Sequence, residues 1–480
     1  MNTTPPPLSD RAADAAGLLP GPDGGRDLYR ERRERVLAAM RARGGGVALL
    51  PTASETMRNR DADYPYRHDS YFYYLTGFTE PESMLVLDAN AADGEPASIL
   101  FCRAKNAERE TWDGYRYGPD AARDAFGFDA AFASDERDAR VPQLIANRPA
   151  LHYALAASAG FDAQVRGWLD AVRAQSRSGV AAPTAAFDLV PVLDAMRVVK
   201  DAHELSVMRR AAQISALAHR RAIAACRPGI REYELEAELL YAFRKHGAQG
   251  PAYGSIVAAG ANACVLHYPA GNALARDGDL VLIDAACELN GYASDITRTF
   301  PANGRFTPAQ RELYEIVLAA QQAAIDATRA GVDFDAPHRA AVRVLAQGLL
   351  DTGIVDRRQF ASVDDVIAER AYARFYMHRT GHWLGMDVHD AGDYRERGER
   401  REPAGEPEAP PWRTLRESMV LTIEPGLYVR AADDVPERYW NIGIRIEDDA
   451  VVTASGCELI TRDVPVDADE IEALMEPARA

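Results

Sequence analysis

The chain has 480 residues, 47% of them hydrophobic, with a formal net charge of −17 and a pI near 5.1. That length accommodates two or three domains, each with apolar material for its own core. The acidic balance argues against nucleic acid or an anionic membrane surface as the main partner, and no apolar run is long enough to cross a bilayer.

Residues 1–25 are rich in Pro, Gly and Asp and lack a basic segment followed by an apolar stretch. They read as a flexible extension, not as a secretory signal. A helix is predicted from Arg26 to the Gly44-Gly45-Gly46 stop, its charge run forming a solvated face with i,i+4 pairs. Strands are predicted at Val47–Pro51, Tyr71–Phe78, Ser83–Asp88 and Ala97–Cys102, and helical patterns fill most of the following stretch to about residue 176. This alternation fits an α/β domain over residues 26–191. A long helix follows, with Leu205, Met208, Ala212, Ile214 and Leu217 at helical spacing, and then a second helix over Arg231–Gly247. Strands dominate from Ile256 to Thr299. Helices are predicted near Pro308–Ala330 and Ala336–Gly353, and strands return at Ser418–Val429 and Asn441–Thr453. Residues 200–466 therefore read as one α+β catalytic domain, followed by a tail at 467–480. A charged, Pro-rich stretch at 395–413 reads as an exposed surface insertion, with substrate gating as the alternative. Five scattered cysteines (Cys102, Cys226, Cys264, Cys287 and Cys457) form no C-x-x-C, which suits reduced thiols in the cytoplasm.

The most informative pair is Asp284 and Asp295, in DLVLIDAACELNGYASDITRTF. Two strand-like runs flank a turn at Leu289-Asn290-Gly291. A turn centred on Leu289-Asn290 puts the two carboxylates directly opposite. One centred on Asn290-Gly291 makes them diagonal neighbours. Both registers place them on one face, where like charges repel unless a cation lies between them. Further acids and imidazoles occur at His378, His382 and His389 in MHRTGHWLGMDVHD and at Glu424 in MVLTIEPG. In IGIRIED, Arg445 and Glu447 share the face opposite Ile442, Ile444 and Ile446. Singly, each segment is explained by a solvated strand face.

Together with LHYPA at Leu266–Ala270, these segments resemble the pita-bread metallopeptidases, most closely the aminopeptidase P branch. The likeness extends to the N-terminal domain through YRHDSYFYYLTGFTEPESMLVL and TWDGYRYG. The resemblance implies five metal ligands: Asp284, Asp295, His382, Glu424 and Glu447. Asp295 and Glu447 would bridge two divalent ions, of which Mn²⁺ is favoured and Co²⁺, Zn²⁺, Fe²⁺ or Mg²⁺ are admitted by the ligand types. Such a pair lowers the pKa of a shared water. The resemblance also implies roles for the other residues. Glu424 takes a proton from the attacking water. His389 serves the tetrahedral intermediate or the leaving nitrogen, His378 lies on the proline side, and His267 supports the carbonyl. Arg445 orients a ligating carboxylate. Tyr428 is a candidate wall of the proline pocket. Trp112 either reaches a neighbouring subunit's site, implying a homo-oligomer (dimer or tetramer), or packs within its own domain.

The implied activity is hydrolysis of the N-terminal Xaa-Pro bond of peptides. The alternative is prolidase action on Xaa-Pro dipeptides, and a non-catalytic peptide-binding role comes after it. A methionine aminopeptidase fits poorly with so large an N-terminal domain. The complete ligand set disfavours a metal-free creatinase-like relative.

Overall fold

The computed structural model describes residues 21–396 and 410–476. Most of the predicted N-terminal extension and the middle of the 395–413 insertion, with its gating alternative, lie outside the described residues. The chain divides into two units, one ending at Asp194 and the other beginning at Ala195.

The first unit is built on a six-stranded mixed sheet. Its strands are β1 (Val47–Pro51), β2 (Met84–Asp88), β3 (Ser98–Cys102), β4 (Ala130–Ala133), β5 (Ala150–Tyr153) and β6 (Ala185–Asp188), in spatial order β4-β3-β2-β1-β5-β6. β1, β2 and β3 pair antiparallel, whereas β4, β5 and β6 join in parallel. One face carries Val47, Val86, Phe101 and Leu151 against Val141, Ile145, Val165 and Trp168 of the helices Arg137–Ile145 and Ala159–Arg173. β4 and β5 lie within the stretch predicted to be mostly helical.

Three further expectations change in this unit. Tyr71–Phe78 is not a strand. Ser70–Thr76 is a short helix, capped by the Asp69 carboxylate accepting from the Phe72 amide at 2.9 Å and ended by Gly77 in the left-handed region at φ 64°. Its side chains are nearly all buried, so neither a period of 2 nor one of 3.6 shows in the sequence. The helix Arg26–Arg41 forms as predicted, but Arg32 and Arg33 are buried, donating to the carbonyls of Tyr74, Leu75 and Gly127. Trp112, on the helix Ala107–Asp113, is 79% exposed, so packing within its own domain is ruled out.

The second unit holds β7 (Gly250–Pro251), β8 (Ile256–Ala259), β9 (Leu280–Asp284), β10 (Cys287–Leu289), β11 (Tyr292–Ala293) and β12 (Thr297–Pro301). Near its C-terminal end lie β13 (Val420–Ile423), β14 (Gly426–Val429), β15 (Ile442–Arg445), β16 (Asp448–Val452) and β17 (Cys457–Leu459). They form small antiparallel sheets, β8-β9-β12, β11-β10-β7, β13-β16-β17 and β14-β15. Two helix pairs pack with them around a single apolar core, Ala202–Ala225 with Glu232–Lys245 and Pro308–Ala327 with Ala336–Asp351. Local sequence starts these helices. Asp201 and Glu204 form a reciprocal capping box, and Thr307 caps a helix with Pro308 at its first position. Leu217, expected in the core, is exposed. Its neighbours Ile214, Ala218 and Ile223 carry the buried stripe. The predicted tail is a helix as well: Ala468–Met475 buries Ala468, Ile471 and Met475 in the core.

Candidate metal centre

The Asp284–Asp295 ribbon folds with its turn at Asn290-Gly291, both at positive φ (48° and 78°), as a two-residue type I′ hairpin requires. Asp284 therefore faces Thr297, and Asp295 is its diagonal neighbour; the directly opposed register does not form. The half-buried Tyr253 hydroxyl bridges the two carboxylates, 2.6 Å from Asp284 and 2.5 Å from Asp295.

The two later acids sit where strands break. β13 pairs with β16 and β14 with β15, so the chain leaves one sheet for another at Glu424-Pro425 and again at Ile446-Glu447. Pro425 has no amide hydrogen, so it cannot donate to a ladder. The amides of the two acids are used there instead: Glu424 donates to the Thr380 carbonyl at 2.8 Å and Glu447 to the Thr297 carbonyl at 3.1 Å. His382 lies on an irregular segment laid against β13 through a Trp383–Leu421 bridge. Gly381 permits this approach, because a Cβ there would collide with the Thr422 carbonyl. The faces that could have been solvated are buried: Thr422, Arg445 and Glu447 are all inside.

These elements bring the expected ligands to one cavity of about 930 Å³. One ligand atom each of Asp295, His382 and Glu447 lies within 4.8 Å of the others. His382 Nδ1 donates to the Trp383 carbonyl at 2.9 Å, which turns Nε2 into the cavity, 3.5 Å from Asp295 and 3.8 Å from Glu424. Asp284, Glu424, Arg445, His267, His378 and His389 line the same cavity. Arg445 grips Asp284 at 2.6 Å, Thr297 Oγ1 at 3.1 Å and the Tyr428 hydroxyl at 2.9 Å. Thr297 Oγ1 in turn donates to Glu447 at 2.6 Å. Tyr428 does not wall the cavity. It is buried behind it, with its hydroxyl on His378 Nε2 at 2.8 Å.

The electrostatics are those of a cation site. Burial pushes Glu424 up to about 7, with His382 and Arg445 opposing the rise. Burial, then Asp295 and Glu424, raise Glu447 well above the usual carboxylate range. Burial raises Asp295 too, with Asp284 adding to it. Burial alone would depress His382, but the hydrogen bond to Asp295 and the charge of Glu424 outweigh it and lift the ring to about 9. His378 is held down at about 4 by burial and by Arg445, and His389 is lowered by burial and by its neighbours His382 and His267. Four acids converging in a buried pocket store repulsion that divalent ions relieve. Oxygen donors with one imidazole suit hard to borderline metals.

Sequence reasoning missed Tyr253, Thr297 and Glu236. Thr297 was within reach, because strand alternation from Asp295 puts it on the same face. Tyr253 in GPAYGS and Glu236 on a charged helix carry no spacing signal, although Glu236 lines the cavity and is raised by burial.

Comparison with known proteins adds to this geometry. The profile of Metallopeptidase family M24 matches residues 206–454, and that of the Aminopeptidase P, N-terminal domain matches residues 29–152. An Xaa-Pro aminopeptidase of Escherichia coli K12 is 43% identical over 454 residues, covering 95% of this chain and 98% of that protein. The structure of a Pseudomonas aeruginosa aminopeptidase superposes with a TM-score of 0.89 at 48% identity, covering 95% of this chain and 98% of that one. A zinc-substituted E. coli aminopeptidase P in complex with product superposes at 0.87 with 42% identity, covering 95% and 99%. With these likenesses the fold class is an α/β N-terminal domain followed by an α+β pita-bread catalytic domain.

Proposed function

The chain belongs to metallopeptidase family M24, and on that premise we propose that it removes the N-terminal residue from peptides whose second residue is proline. The observation that carries this reading is the convergence of Asp295, His382 and Glu447 in a cavity that also holds Asp284, Glu424 and the three histidines. Asp284, Asp295, His382, Glu424 and Glu447 are assigned as the ligands of two divalent ions, which when bound activate water near neutral pH and offset negative charge on the reacting carbonyl. Mn²⁺ is the preferred pair.

The chain's own groups are suited to the remaining tasks. Glu424 lines the cavity 3.8 Å from His382 Nε2, where its carboxylate is suited to accept a proton from the attacking water. Arg445 holds the Asp284 carboxylate in a fixed orientation. His389, at the exposed side of the cavity with its ring 4.1 Å from that of His382, is placed to serve the leaving nitrogen. An amide nitrogen, that of an Xaa-Pro bond included, departs as an amine only once it is protonated. His378, kept neutral and fixed by Tyr428, is assigned to the proline side, and His267 to the carbonyl.

The exposed Trp112, on a helix with no buried residue, supports assembly with further copies of the chain. The five unpaired thiols support a cytoplasmic location, and among the described residues no helix is long and apolar enough to cross a membrane. Functionally we divide the chain into an extension at 1–25, an N-terminal domain at 26–191 and a catalytic domain that starts at 200 and takes in the helix Ala468–Met475 beyond 466.

The test is Mn²⁺-dependent release of the first residue from Xaa-Pro-Yaa, beside Xaa-Pro and Xaa-Ala-Yaa, with Asp295→Ala as the blank. Preference for the proline tripeptide supports the proposal. Preference for the dipeptide would transfer the activity to prolidase, and no metal-dependent cleavage would remove the catalytic reading.

A further inference from the structure

One wall of the catalytic cavity differs from the rest. Phe334, Tyr394 and Trp412 line it together, with ring centroids 4.8 Å and 6.3 Å from that of Phe334. Two guanidinium groups lie over the Trp412 indole, Arg395 at 3.6 Å and Arg379 at 4.5 Å from its centroid. An indole face attracts one cation, but two cations over the same ring repel each other. Burial, followed by the charge of Arg395, holds Arg379 below its usual pKa.

Among the described residues, carboxylates do not fully balance this pair. Arg379 contacts Asp335, but Asp335 is shared with Arg339 at 3.0 Å, and Arg339 also binds Asp333 at 2.8 Å. Arg379 and Arg339 thus use up both carboxylates, which leaves Arg395 over. Arg395 donates to the Pro410 carbonyl at 2.6 Å and has no carboxylate partner among the described residues. Among the described residues both arginines keep donors free, and Arg379 directly follows His378 in the chain and lines the cavity itself.

We propose that Arg379 and Arg395, mounted on Trp412, form a subsite that selects peptides carrying a carboxylate downstream of the proline, with the aromatic wall receiving the intervening side chain. The carboxylate is either the C-terminus of a short peptide or an acidic side chain. This inference rests on the proposed function and deepens it, since it takes His378 as the proline side.

The experiment compares kcat/KM for two matched pairs on the Mn²⁺-loaded enzyme: Ala-Pro-Phe as acid and as amide, and Ala-Pro-Phe-Glu-amide against Ala-Pro-Phe-Gln-amide. A partly exposed charge-assisted contact predicts about a fivefold preference for the charged member of at least one pair, decreasing with salt. The pair that responds identifies the source of the carboxylate. R379Q and R395Q, made singly and together, should bring that ratio close to one. Equal rates within both pairs, or a ratio that survives in the double variant, would overturn the proposal and leave the arginines as pins for the ends of the surrounding segment. Failure of the parent reading is separable, because then no proline peptide is cleaved. Calorimetric binding of the same peptides to the Asp295→Ala protein still decides the subsite: tighter binding of the charged peptide, lost in R379Q/R395Q, supports it, and equal affinities refute it.

Discussion

Metal loading of this centre should expel protons, and the number follows from the groups converging there. Ligands must be deprotonated to bind. In the metal-free cluster at pH 7, His382, lifted to about 9, holds a proton; Glu424, at about 7, holds one in part; and Glu447, raised well above the usual carboxylate range by burial and its acidic neighbours, adds to the count. Binding a full complement of divalent ions should therefore release about two protons per chain, counted over the coupled cluster. The sign is fixed: lowering the pH fills these sites and weakens metal binding, so log affinity for the full complement should rise by about two per pH unit near pH 7. Titration calorimetry of the metal-free protein in buffers of different ionisation enthalpy reads the proton count directly as a slope. Glu447→Gln should lower that slope. A release below about half a proton, or an affinity flat across neutral pH, would refute the account of a carboxylate cluster strained by burial and mutual repulsion.

Three other perturbations test separate links. Tyr253→Phe removes the hydroxyl shared by Asp284 and Asp295 and should weaken metal affinity by about 10- to 100-fold in chelator competition; unchanged affinity would demote it to packing. Arg445→Ala strands the buried Asp284 carboxylate and should cost about 3–5 kcal/mol in urea denaturation of the metal-free protein, where a loss under 1 kcal/mol would argue against a buried pair. His219 is fully buried, donates from Nε2 to the Ala285 carbonyl and is depressed by burial to about 4 from 6.5. Its neutral form thus contributes stability that is complete above pH 6.5 and falls by about 3 kcal/mol as the pH drops to 4. His219→Gln should flatten that part of the pH–stability curve, and an unaltered slope would contradict it.

Particular residues show why some of this was legible and some not. The sheet face shared by Asp284 and Asp295 follows from alternation alone, and Asn290-Gly291 decides between the two registers because it accepts positive φ at both turn positions. The centre's later members were legible only as ordered motifs, since a strand carrying Thr422 and Glu424 looks solvated until the opposite layer is known. Tyr71–Phe78 misled because burial on all sides erases periodicity, and the decisive signals were the two caps, Asp69 and Gly77. Arg32 and Arg33 read as surface charge because their acceptors are backbone carbonyls contributed by distant residues, on which side-chain pattern is silent. Ala468–Met475 read as a tail because it is only two turns long, although Asp467 does signal a helix start.

The interleaving of the strands also sets a timetable for the newborn chain. Asp284 reaches its partner Arg445 across 161 positions of sequence, and the last acid, Glu447, comes later still. At ribosomal speeds of about 5–20 residues per second, the early aspartates wait roughly ten to thirty seconds for the strands that complete the pocket. Until Glu424 and Glu447 arrive, the protein under synthesis has no assembled hydrolytic centre, so its competence begins only after the strands flanking Glu447 have been made.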